Sequence, residues 1–83
     1  MSFIITRANL AGSSQIVFEV AGKMPQRFVI LKSEARVDGN GGYIFDGADL
    51  YEKNGGKIGT VPAYCKARGY IKADGTGVME ICN

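Results

Sequence analysis

The chain contains no histidine and no tryptophan, only two cysteines and two prolines. Without histidine there is no imidazole base, no imidazole metal ligand, and no Ser–His or Cys–His nucleophile pair. Cys65 and Cys82 alone cannot complete a structural zinc site, which wants four nitrogen or sulfur ligands. No stretch approaches the ~18 consecutive apolar residues that suggest a membrane span. Residues 1–7 have neither the basic region nor the small-residue cleavage site of a signal peptide. The expectation is a cytoplasmic protein in which both cysteines are free thiols, with no metal site and no cofactor.

What is present fits one small domain covering residues 1–83. A chain of 83 residues with 46% hydrophobic and 22% charged residues is globular rather than disordered. It is long enough to bury a modest core. The net charge of +2 is too small to demand a polyanionic partner. The 12 glycines are about twice average usage and fall at turn-like positions without a fixed period.

Short apolar runs alternate with turn residues along the whole chain. Residues 3–7 read as a first strand, and 12–14 as a loop. Residues 15–21 alternate, with Ile16, Phe18 and Val20 on one face. The run Phe28, Val29, Ile30, Leu31 is apolar on both parities, as a strand buried on both sides would be. Residues 33–37 read as extended, because Asp38-Gly39 arrives too soon for a useful helix. Tyr43-Ile44-Phe45 forms a strand before a turn at Asp46-Gly47. A long strand over 63–72 and a last one over 78–82 are joined by a turn at 73–77. The pattern predicts an all-β fold: a small, strongly curved barrel of five to eight short strands, with an open β-sandwich as the alternative.

The clearest local signal is a hairpin over residues 49–61. An Asn54-Gly55 loop would set Glu52 against Lys57 and Tyr51 against Ile58, both favourable cross-strand pairs. This segment resembles the first hairpin of PRC-barrel domains, small β-barrels used as interaction modules. The likeness covers these residues only and assigns no functional residue. In that register both faces of the hairpin carry apolar groups, and a barrel buries only one. Tyr51 and Ile58 are therefore the expected oligomer interface.

Asp38, Asp46, Asp49 and Asp74 lie in or beside turn signals, where aspartates usually accept from backbone N–H groups. The glycine-rich stretch 38–42 departs from a calcium loop at its fifth position, Gly42, and at Tyr43. One distributed pattern remains. Tyr64, Lys66, Arg68, Tyr70 and Lys72 share a parity, so a strand there would show two aromatics and three cations on one face. These five are the candidate ligand- or partner-binding residues. The expected function is non-catalytic: a binding or adaptor module working through protein–protein contacts and self-association, with no membrane partner. The alternative is single-stranded nucleic-acid binding by the 64–72 face, tyrosines stacking on bases and cations meeting phosphates.

Overall fold

The computed structural model describes residues 2–23, 26–54, 57–60 and 65–82, with the backbone alone for 54 and 57–60. Nine strands carry the described chain: β1 Ser2–Asn9, β2 Gln15–Val20, β3 Gln26–Leu31, β4 Ala35–Val37, β5 Tyr43–Asp49, β6 Tyr51–Asn54, β7 Lys57–Thr60, β8 Lys66–Ile71 and β9 Gly77–Cys82. They form one antiparallel sheet in the order β4-β5-β8-β9-β1-β2-β3-β6-β7. The sheet curls into a half-barrel. β2 and β5 stand four places apart, which a flat sheet would make about 19 Å. Yet the Phe18 and Phe45 ring centroids lie 6.5 Å apart. The expected all-β, strongly curved fold is what forms, and a single sheet replaces the two of a sandwich.

The concave face holds the core. Ile5, Ile16, Phe18, Val20, Phe28, Ile30, Phe45, Leu50, Ile71 and Met79 are buried there. Period-2 alternation explains β2 directly, and β3 shows the expected two-sided burial, with Phe28, Val29 and Ile30 all inaccessible or nearly so. Small groups let neighbouring strands approach closely. A Cβ at Gly69 would collide with the Val78 carbonyl oxygen, and one at Gly77 with that of Tyr70.

Three sequence expectations are corrected. Asp46-Gly47 does not end a strand: β5 continues to Asp49 through a bulge, with Gly47 at φ +86° and the register against β8 shifting between Asp46 and Ala48. A bulge with a left-handed glycine draws on the same residues as a turn, so the sequence cannot separate the two. Residues 33–37 are not wholly extended, because Lys32–Glu34 make a 3₁₀ turn before the three-residue β4, whose short run brings the strand count to nine. Finally, the β6–β7 register pairs Asn54 with Lys57, Lys53 with Ile58, Glu52 with Gly59 and Tyr51 with Thr60. Neither Glu52–Lys57 nor Tyr51–Ile58 is a direct pair. The connection falls on residues 55–56, which lie outside the described residues. Gly-Gly serves a two-residue loop as readily as Asn-Gly, and cross-strand pairs worth about 0.2–1 kcal/mol are too weak to choose between them.

Turn aspartates behave as expected at two of four positions. Asp38 Oδ1 accepts from the N–H groups of Asn40 (2.6 Å) and Gly42 (3.0 Å). Asp74 Oδ1 accepts from the N–H (2.9 Å) and hydroxyl (2.7 Å) of Thr76. These bonds hold the Asp74 carboxyl below the usual carboxylate range. Asp46 and Asp49 sit on β5 instead and face cations across the strand pair.

Candidate functional site

β8 brings Lys66, Arg68 and Tyr70 to one face, as the sequence predicts, and that face is the convex one, because Ala67 and Ile71 are buried in the core. Lys72 follows, exposed, beyond the strand end. Tyr64 lies outside the described residues. The neighbouring strands change the character of the stripe. Lys66 stands opposite Asp49 and Arg68 opposite Asp46 on β5, while Arg68 stands opposite Glu80 on β9. The Lys66 ammonium is bonded to Asp49 Oδ1. The Arg68 guanidinium donates to Glu80 Oε1 from Nε (3.0 Å) and Nη2 (2.6 Å). The two strand cations are thus held by carboxylates, and a bare phosphate-facing stripe is not what the sheet presents.

Titration behaviour follows from these pairs. The hydrogen bond to Asp49 and its charge raise the Lys66 pKa. The bond and charge of Glu80 do the same for Arg68, and those of Arg68 lower the Glu80 carboxyl. A carboxylate with a depressed folded-state pKa adds stability above its ordinary pKa and loses it as pH falls through the folded value. Arg68→Gln is expected to return the Glu80 carboxyl toward the usual glutamate range. Carbon-detected NMR titration of the side chain measures it, and an unmoved midpoint would mean that the pair does not persist in solution.

An apolar row lies one residue pair further along the same face. Ile4 of β1 stands opposite Val78 of β9, Val78 opposite Tyr70 of β8, and Tyr70 opposite Ile44 of β5. Arg36 of β4 closes the row. Ile4 is 65% exposed and Tyr70 45%. Shallow depressions flank Tyr70, one bordered by Arg36, Ile44, Asp46 and Glu80, the other by Ile4, Lys72 and Thr76. Tyr70 is among the residues expected from the strand pattern and Ile4 is not, although the sequence carries a signal for it. Phe3-Ile4-Ile5 is apolar at consecutive positions, so one of the three must point away from the core in a strand.

The predicted interface pair is only partly placed. Tyr51 is half-buried, opposite Val29 on β3 and Thr60 on β7. The Ile58 side chain lies outside the described residues. Cys65 is buried and Cys82 half-buried, both as free thiols. No group of three metal-binding side chains occurs among the described residues. No helix there is long and apolar enough to cross a membrane. No family model, curated protein or solved structure matches the chain, so the likeness of residues 49–61 to a PRC-barrel hairpin extends no further.

Proposed function

We propose that this protein is a non-catalytic binding module, acting through protein–protein contacts and self-association on the convex face of its sheet, in a reducing compartment such as the cytoplasm. The observation that carries this reading is the apolar Ile4–Val78–Tyr70–Ile44 row, with Ile4 and Tyr70 open to solvent and Val78 and Ile44 half-buried, near two compensated ion pairs. A large aliphatic group and a tyrosine ring left exposed on one face, with Val78 between them, offer burial on contact with a second protein surface. Compensated charges around them add selectivity and little net attraction for a polyanion. That balance favours a protein partner over single-stranded nucleic acid, because Lys66 and Arg68 already have carboxylate partners.

The test is molar mass in solution by light scattering, with and without a single-stranded oligonucleotide. The expected result is a mass that rises with protein concentration and ignores the oligonucleotide. Ile4→Lys and Tyr70→Lys should each weaken self-association at least tenfold in folded protein, as loss of a central contact typically does. A monomer that binds the oligonucleotide at low salt, and loses it on Tyr70→Ala, would replace this reading with the nucleic-acid one.

A further inference from the structure

Two charge rows cross the convex face, and they are sign-reversed copies of one another. On β1, β2 and β3, Arg7 stands opposite Glu19 and Glu19 opposite Arg27, a base–acid–base row. On β5, β8 and β9, Asp46 stands opposite Arg68 and Arg68 opposite Glu80, an acid–base–acid row. Each row crosses three adjacent antiparallel strands, so both have the same pitch of about 4.8 Å per step. The first row exists because β1 carries a bulge between Ile5 and Arg7. Ile5 points into the core opposite Val20, and strict alternation would send Arg7 the same way. The extra residue, Thr6, whose hydroxyl donates to the Glu19 carbonyl oxygen (3.2 Å), restores Arg7 to the outside. Arg7 and Arg27 are exposed, and neither they nor Glu19 form an ion pair among the described residues.

We propose that the chain associates head to tail, the Arg7–Glu19–Arg27 row of one copy seating on the Asp46–Arg68–Glu80 row of the next. The proposal rests on reading the chain as a protein-binding module and names its partner as a second copy. In register, each of the three positions meets its opposite charge. Displaced by one step, two positions meet like charges, so the pattern fixes the register, with Arg7 on Asp46 or, turned end for end, on Glu80. The apolar Ile4–Ile44 row lies about 7 Å from the acid–base–acid row along the strands, within the footprint of a copy seated there. Two different surfaces meet, so the contact is heterologous and propagates into a ring or a filament. Exposed ion pairs contribute little individually, and their mark is salt sensitivity and alignment.

Two charge-reversed variants test this: Arg7→Glu/Glu19→Arg/Arg27→Glu, and Asp46→Lys/Arg68→Glu/Glu80→Lys, the second keeping opposite signs at positions 68 and 80. Sedimentation velocity is run at about 0.01 M and about 1 M salt, where the Debye length falls from ~30 Å to ~3 Å. Wild type should assemble at low salt and dissociate at high salt. Each variant alone should remain monomeric, since both of its rows then carry the same pattern. An equimolar mixture should assemble, because every row in it meets a complement. The single exchanges Arg7→Glu and Asp46→Lys, both at exposed sites and facing each other when Arg7 seats on Asp46, repeat the experiment with least risk to folding, which thermal melts check. Wild type that assembles while the mixture stays silent removes the head-to-tail contact and leaves the binding-module reading standing. Wild type that is monomeric at low salt at every concentration overturns both.

Discussion

Phe18→Ala is expected to cost about 3–5 kcal/mol, the range for removing a buried aromatic side chain. Phe18 is 1% exposed and lies between two other rings, with centroids 6.0 Å from Phe28 and 6.5 Å from Phe45. Its ring joins β2 to β5 across the hollow of the half-barrel, so truncation opens a cavity where the curl closes. A chain of 83 residues carries a total stability of about 4–12 kcal/mol at ordinary values per residue. The variant should therefore lose from about a quarter to all of its stability. Urea unfolding measures this, and a midpoint shift equivalent to under 1 kcal/mol would show that the rings do not meet as described. Phe28→Leu, which keeps most of the volume, should cost far less.

Gly77→Ala comes second, with an expected loss of more than about 2 kcal/mol, as clashes in packed interiors produce. Gly77 pairs with both Ile71 and Ile5 at the middle of the sheet. A methyl group there meets the Tyr70 carbonyl carbon at 2.9 Å and the Ile71 Cα at 3.0 Å. These are backbone atoms and cannot rotate away. For a domain of this size the loss corresponds to a melting temperature lower by at least ~8–16 °C. Gly39→Ala is the control: its Cβ meets nothing within 4 Å, and only its φ of +86° opposes the change. It should lose about 1 kcal/mol, the smaller cost of an unfavourable backbone angle without a clash.

Much of this fold can be read from side-chain periodicity. Ile16, Phe18 and Val20 mark the inner face of β2, and the unbroken Phe28–Leu31 run marks a strand covered on both sides. Periodicity fails where the backbone inserts a residue. Asp46-Gly47 looks like a turn and is a bulge, and nothing in the sequence marks the bulge at Thr6. The parity rule therefore assigns β8 correctly and would misassign the second half of β1. The candidate face was half legible for a related reason. Lys66, Arg68 and Tyr70 are visible as a stripe within one strand. Asp49, Asp46 and Glu80, which compensate it, come from strands up to about 22 residues away in sequence, and pairing partners across a sheet leave no periodic trace. The Tyr51–Ile58 register failed because two loop dipeptides overlap in Asn54-Gly55-Gly56.

The pairing of β1 with β9 has a consequence for time. Ser2 and Glu80, hydrogen-bonded through their side chains at 3.4 Å, are separated by 78 positions along the chain. These two strands sit in the interior of the sheet order, with β8 beyond one and β2 beyond the other. During synthesis, β1, β2 and β3 emerge early and can form a meander. β6 can add to β3 next, bringing β5 with it, but β1 gains its second neighbour only when residues 77–82 leave the ribosome. Until then β1 presents an open edge with Ile4 and Ile5 on it, a strand template for any neighbouring chain. Closure of so long a loop before its contacts form places folding on the millisecond-to-second scale of high-contact-order β proteins.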